Sequence, residues 1–365
     1  MIRRGLLLSA YDADSHRHWR KCLCAGLDDW QWRVLSLPPR HFNWRVRGNP
    51  LQWFVAERER LEADYDLLLV TSMVDLATLR GLVPALASLP SLVYFHENQF
   101  AYPPGRGQHG VLEAQMVSIY SAMAADQLLF NSRYNRDSFL AGVAALFKRL
   151  PDKLPLSIVD QLGAKALVLP VPVEPVDVSA LELDPARLQI VWNHRWEYDK
   201  GVGELLAITE FLVAQALPFT LHVVGRQFRD RPAEFDRLES CLGEVGALGH
   251  WGYLEDRTQY MALLAACDVV VSTALHDFQG LSVLEACAMG CTPLVPDRLV
   301  YPEWFAPDFR YPDSEQAVLR LVQLWQQKSR GEVLPKVDVS SFYCGQLLPR
   351  YAAVLRSQLG SKPVS

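Results

Sequence analysis

The residues with the most chemical promise lie between His276 and Pro296, in the run H-D-F-Q-G-L-S-V-L-E-A-C-A-M-G-C-T-P-L-V-P. The apolar run Cys267 to Leu275 before it reads as a buried strand, and Thr292 to Val295 reads as another. Between them a turn through Gly280 opens a helix whose apolar face carries Leu281, Leu284, Ala288 and Met289. Strand, turn, helix and strand make one parallel crossover. Its turn falls at the carboxyl end of a strand, where open α/β sheets bind ligands. The first N–H groups of a helix have no intrahelical acceptor, so those of Gly280, Leu281 and Ser282 form a seat for phosphate. Asp277 and Glu285 flank that seat, and His276 is a further candidate beside it.

The same residues admit a plainer role. Ser282 and Glu285 have the spacing of a capping box, in which the Glu bonds back to its own helix. Asp277 could be a simple loop acid. The residue types alone leave both roles open.

The segment resembles the E-x7-E element of the retaining glycosyltransferases of family 4, which have the GT-B fold. That family's pattern is an acid, two residues, Gly, then Glu-Ala followed by small-x-Gly-x-Pro. The spacing from Asp277 to Glu285 matches it, with Asp in place of the usual first Glu. A second family element follows the first strand of the second half, in N-H-R-W-E-Y-D-K-G, Asn193 to Gly201. The family reads G-R-x4-K-G there; Asn193-His194 replaces the Gly. Arg195 and Lys200 in that turn can neutralise the diphosphate that leaves a nucleotide sugar. The alternative is two solvated surface charges.

In the first half, the strand Ser91 to Phe95 ends in H-E-N-Q-F. The family places a His at this point against the donor sugar, which implies that role for His96; Glu97 is a weaker candidate. The first strand leaves through S-A-Y-D-A-D-S-H, where many GT-B enzymes have a Gly-rich turn. Asp14 there would repel a phosphate, so Ser15 and His16 are the better contacts.

A narrower resemblance is carried by L-P-P-R-H-F-N-W-R-V-R, S-L-V-Y-F-H-E-N-Q-F-A-Y-P, L-L-F-N-S-R-Y-N-R-D-S-F-L, V-L-P-V-P-V, H-D-F-Q-G and D-R-L-V-Y-P-E. These strings look like the tRNA-queuosine α-mannosyltransferases, from about Leu6 to Trp304. The resemblance implies transfer of mannose from GDP-mannose to the cyclopentene-diol of queuosine in a tRNA anticodon. Arg40, Trp44 and Arg45, with His41, Phe42 and Arg47, form a basic stretch interleaved with aromatics. Such a stretch can hold a splayed base and its phosphates; it could equally bury its aromatics and solvate its arginines. His16, Asn98 and Tyr102 complete the expected acceptor side.

The resemblance also implies substitution on one face of the sugar, with the leaving phosphate helping to deprotonate the acceptor. The protein then positions and stabilises charge. Arg195 and Lys200 would hold the diphosphate, Gly280 and Leu281 would offer N–H groups, and Ser282 and His276 would add donor-side contacts. Glu285 would accept from the ribose, Asp277 from the sugar, and Leu254 in G-Y-L-E-D would line the base pocket. No D-x-D pair stands at a credible strand end, Asp12-x-Asp14 being a poor one, so metal-independent transfer with no cofactor is expected. Two other functions stay open: a family-4 transferase for a small-molecule, lipid or polysaccharide acceptor, and a degenerate GT-B protein that binds nucleotide or RNA without catalysis.

The elements that must position these groups alternate strand and helix, which implies two parallel sheets with helices on both faces. Strands are predicted at Gly5 to Ala10, Trp32 to Leu37, Tyr65 to Thr71, Ser91 to Phe95, Gln127 to Asn131 and Ala166 to Leu169. A helix is predicted over Arg133 to Leu150, and the Pro-rich stretch after it reads as irregular. In the second half, strands Gln189 to Asn193 and Phe219 to Val224 join helices at Val202 to Gln215, Asp256 to Ala266, Ser314 to Gln327 and Phe342 to Leu359. The expected organisation is α/β: two Rossmann-like domains facing each other across a cleft. Residues 1–175 would bind acceptor and 186–335 donor, and a closing helix in 336–365 would pack back toward the first domain. The stretch V-P-V-E-P-V-D-V-S-A-L-E-L-D-P-A-R-L, with Pro172, Pro175 and Pro185, is the best linker candidate.

A chain of 365 residues, half of them apolar, can build two such cores. A net charge of −5 disfavours broad nucleic-acid binding and leaves room for one local basic patch. The seven cysteines lack zinc-site spacing and read as reduced, mostly buried thiols of a cytoplasmic protein. M-I-R-R-G-L-L-L reads as a first strand rather than a signal peptide, and no stretch reaches the roughly 18 apolar residues of a spanning helix.

Overall fold

The computed structural model describes residues 2–102, 111–152, 154–228 and 231–360. Among these described residues twelve strands are numbered in chain order. The first six are β1 (Arg3–Ser9), β2 (Trp30–Ser36), β3 (Leu67–Thr71), β4 (Ser91–Phe95), β5 (Gln127–Phe130) and β6 (Ala166–Val168). The second six are β7 (Leu188–Trp192), β8 (Phe219–Val224), β9 (Leu248–Gly252), β10 (Val269–Val271), β11 (Thr292–Pro296) and β12 (Arg310–Tyr311). The chain divides into two units, Met1–Pro172 with Phe342–Ser365, and Val173–Ser341.

Each unit holds one sheet, and every pairing in it is parallel. The first sheet runs β2-β1-β3-β4-β5-β6 and the second β12-β11-β10-β7-β8-β9. Central strands are mostly apolar, as in sheets covered on both faces. Every residue of β3 (LLLVT) and β4 (SLVYF) is buried. The edge strand β2 (WQWRVLS) exposes Gln31, Arg33 and Ser36 instead. The order of the second sheet is that of the dinucleotide-binding Rossmann fold, with its switch point between β7 and β10.

The strand expected over Cys267 to Leu275 is shorter than its apolar run. After Ser272, whose N–H reaches Leu294 on β11, the N–H groups of Leu275 and His276 leave the ladder for the carbonyl of Asp199. The stretch after Leu150, expected to be irregular, contains the helix Ser157–Ala164. Pro155 precedes that helix, where a missing N–H costs nothing. In the first unit the closing helix Cys344–Leu359 sends Tyr351 inward, where its hydroxyl accepts from Trp19 Nε1 at 3.1 Å and donates toward the carbonyls of Leu169 and Pro170. The cysteines form no disulfide; Cys267, Cys287 and Cys291 are buried and the other four are half-buried, fewer buried than expected. Among the described residues no helix is long and apolar enough to cross a membrane.

Candidate active site

At the switch point of the second sheet the chain leaves β7 through 193–201 and β10 through 272–280. Backbone and side chain stitch the two turns together. Leu275 and His276 donate to the Asp199 carbonyl at 2.9 and 3.1 Å, and the Thr273 hydroxyl donates to the Lys200 carbonyl at 2.8 Å. Gly201 makes this approach possible. Its φ is 71°, and a Cβ there would stand 2.0 Å from the Thr273 carbonyl oxygen. Gly280 adopts the same left-handed conformation as N-cap of the helix Leu281–Ala288.

Lys200 occupies the space between the turns. Its ammonium donates to the His276 carbonyl at 2.7 Å and lies 3.4 Å from Asp199 and 3.6 Å from Asp277. Asp277 Oδ1 accepts the N–H of Gly280 at 2.7 Å and that of Gln279 at 3.3 Å. Burial pushes the Asp277 pKa up, but the Lys200 ammonium, nearby His194 and the Gly280 N–H outweigh it and bring the value down to about 2. Asp277 is therefore an ionised cap on the helix, and the Gly280 N–H, expected to meet phosphate, is already taken. Leu281 and Ser282 present the next N–H groups at the helix tip.

Arg195 is half-exposed, 3.0 Å from Glu197, and, after burial and the Lys200 charge, its charge helps lower the pKa values of His194 and His276. His194 and His276 are both buried, and their pKa values fall to about 3 and about 4, first from burial and then from the Lys200 charge. The capping-box alternative is not what the structure contains. Gly280 caps the helix without a side-chain bond, so Ser282 is its second residue. Glu285 instead accepts from Arg257 at 2.7 Å, with the Tyr260 hydroxyl at 3.5 Å. Leu254 stands half-buried in the turn after β9.

Several contributors escaped the sequence reading. Arg257 and Tyr260, which hold Glu285, gave no signal beyond their place at a helix start. Arg298, in the D-R-L-V-Y-P-E string, ties the base of the second turn by donating to Ala274 O at 3.1 Å and to Glu204 at 2.6 Å. Tyr301, in the same string, packs its ring under Gly280.

The first unit has a different character at its strand ends. His96, buried after β4, stacks on His16 with ring centroids 3.9 Å apart. Trp19 and Tyr94 meet it edge-on at 5.0 and 4.6 Å. Burial, then the neighbouring His16, pushes the His96 pKa well below the usual histidine range. At the exit of β1, Asp12 is bound in a fork by Arg20 at 2.9 and 2.8 Å, while Asp14 is exposed and pairs with Arg17.

The expected acceptor residues separate. Asn98 is buried and wholly spent inside the unit. Its amide donates to Asn135 and Ser138, and its oxygen accepts the N–H groups of Phe100 and Ala101. That leaves it nothing to offer an acceptor. Arg45 is also buried, bonded to Gln52, and Arg47 pairs with Asp75 and Glu113. Arg40 and Trp44 are exposed, the Trp44 indole lying flat over Gly48 one turn along the helix Phe42–Ala56. Tyr102 is half-buried. Among the described residues no group of three His, Cys, Asp or Glu side chains could hold a metal ion.

Two Rossmann-like units, one with a lysine locked between the two turns at its switch point, make this a protein of the GT-B glycosyltransferase class. Sucrose-phosphate synthase from Thermosynechococcus elongatus is similar with a TM-score of 0.70 at 13% identity, over 99% of this chain and 100% of that one. HepE from Anabaena, solved with UDP and glucose, gives 0.64 at 13%, over 97% and 100%. At that identity the likeness shows the fold. The amino-acid sequence goes further: residues 4–173 match the family model described as tRNA-queuosine alpha-mannosyltransferase N-terminal. A tRNA-queuosine alpha-mannosyltransferase of Drosophila melanogaster is 30% identical over 372 residues, 98% of this chain and 97% of that protein. The chain belongs to this family.

Proposed function

We propose that this protein transfers mannose from GDP-mannose to the cyclopentene-diol of queuosine in a tRNA anticodon, in the cytoplasm, with retention at the anomeric carbon and without a metal. The observation that carries the reading is Lys200, held by Asp277 and the His276 carbonyl in the turn that opens the helix Leu281–Ala288, in a chain of this family.

In this reading Lys200 and Arg195 take the charge of the departing diphosphate, and the N–H groups of Leu281 and Ser282 complete its seat. Arg257 steadies Glu285 for the ribose hydroxyls. Asp277 keeps the helix tip in place and neutralises Lys200 until substrate arrives. Asp12 is paired with Arg20 and Asp277 with Lys200, cations of the chain itself. Charge stabilisation then falls to the side chains. In the first unit, the exposed Trp44 and Arg40 are suited to stack a base and meet a phosphate.

The test is transfer itself. Protein is incubated with radiolabelled GDP-mannose and tRNA that contains or lacks queuosine, with and without excess chelator. Label in the queuosine-containing tRNA alone, undiminished by chelator, is expected. Label in neither tRNA overturns the acceptor, and loss of label with chelator overturns metal independence.

A further inference from the structure

The turn after β7 carries Asn193-His194, and the hydrogen bonds around His194 fix the direction of every proton in a buried chain. Tyr301 is fully buried, and the partner of its hydroxyl is Ser272 Oγ at 2.6 Å. A buried O–H donates to something, so Tyr301 donates to Ser272. Ser272 Oγ also receives the N–H of Ala274 at 3.3 Å. A hydroxyl has two acceptor sites and one proton. Both acceptor sites are now filled, so the proton of Ser272 goes to its remaining neighbour, His194 Nε2, at 3.0 Å. That nitrogen must be bare. A neutral imidazole then carries its proton on Nδ1, which faces Ser282 Oγ at 3.3 Å. His194 donates to Ser282, and the Ser282 proton is left to point elsewhere. The low His194 pKa, from burial and then the Lys200 charge, agrees with a single ring proton.

Ser282 is the second residue of the helix capped by Gly280, whose N–H goes to Asp277, the carboxylate that also pairs with Lys200. Next to it, Asn193 Nδ2 donates to the Ser282 carbonyl at 2.8 Å and to the Tyr260 hydroxyl at 3.0 Å. Asn193 Oδ1 is buried without a partner among the described residues. The pair Asn193-His194 thus grips Ser282 from its side chain and from its backbone.

We propose that His194 is a positioning residue that turns the Ser282 hydroxyl into an obligatory donor to a phosphate oxygen of the bound nucleotide. The relay Tyr301–Ser272–His194–Ser282 runs one way, and its last O–H is presented to the anion. This rests on the reading of the site as a nucleoside-diphosphate seat. It adds a side-chain donor that the backbone seat does not require.

The experiment is a calorimetric titration of GDP, with UDP in parallel, into the full-length protein and the variants Ser282→Ala, His194→Gln and the double variant, each checked by thermal melting. Ser282→Ala is expected to weaken GDP binding about tenfold, the scale of one charge-assisted hydrogen bond. His194→Gln is expected to do the same, and the double variant to bind no worse than either single, because both remove one interaction. If His194→Gln does not fold, Ser272→Ala, which frees the ring to take the other tautomer, replaces it in the same cycle. Multiplying losses in the double variant, or an unchanged affinity in Ser282→Ala, overturn the relay while GDP binding by the unaltered protein leaves the seat intact. Failure of the unaltered protein to bind either nucleotide overturns the seat as well.

Discussion

The two sheets are built alike and finish differently at their carboxyl ends. At the switch point of the second, left-handed glycines bring two turns together, a lysine is locked between them, and a helix tip is held open by Asp277. At the end of the first, the buried carboxylate at the exit of β1, Asp12, is paired with Arg20, and His16, His96, Trp19 and Tyr94 pack together. The same scaffold therefore offers a charged seat in one unit and an aromatic cluster in the other. Parallel strands deliver chain ends to a common edge, and the side chains placed there decide the ligand.

Removing the charge from the second unit should have the largest effect. Lys200→Ala is expected to lower kcat/KM for transfer about 100- to 1000-fold, the scale of one lost electrostatic stabiliser. It should also lower stability, because Asp277 and Asp199 lose their cation. Steady-state kinetics and denaturant unfolding separate the two effects. Closing the turns should matter next. Gly201→Ala forces a Cβ against the Thr273 carbonyl, and a loss of about 1–3 kcal/mol or more is expected from urea midpoints.

Acid should weaken the second unit through Asp277. Its folded pKa of about 2 lies below the ordinary 3.8, so its contribution is present above about pH 4 and is lost as pH falls toward 2. Asp277→Asn should flatten that limb of a stability–pH curve, and an unchanged limb would show that the carboxylate is not held by Lys200. In the first unit the smallest effect on folding is expected from Trp44→Ala. The indole is 53% exposed, so stability should move by less than about 0.5 kcal/mol. Affinity for queuosine-containing tRNA should fall about tenfold if a base stacks there, as filter binding would show.

Much of this comparison could be read in the sequence, and unevenly. The crossover around Gly280 is legible because a buried parallel strand leaves an uninterrupted apolar run and its turn leaves a glycine. The helix Phe42–Ala56 is hard to read: Gly48, Asn49 and Pro50 interrupt it, and its cap His41 is left-handed. The strand β9, L-G-H-W-G, lies on an edge and carries two glycines and a histidine in place of an apolar run. Site geometry was legible where partners share a turn, as with Lys200 and Gly201. It was not where partners meet through the fold: Arg257 with Glu285, Tyr301 with Ser272, or Asn98 with Asn135. No local pattern marks a residue whose partner arrives from a different strand.

The central claim is that Lys200 and the adjoining helix tip hold a diphosphate. Calorimetric titration of GDP and of GMP into the unaltered protein and into Lys200→Met tests it most directly. The account predicts that the unaltered protein prefers GDP and that the variant loses that preference while remaining folded. A variant that binds GDP as well as the unaltered protein, with the same margin over GMP, would contradict it.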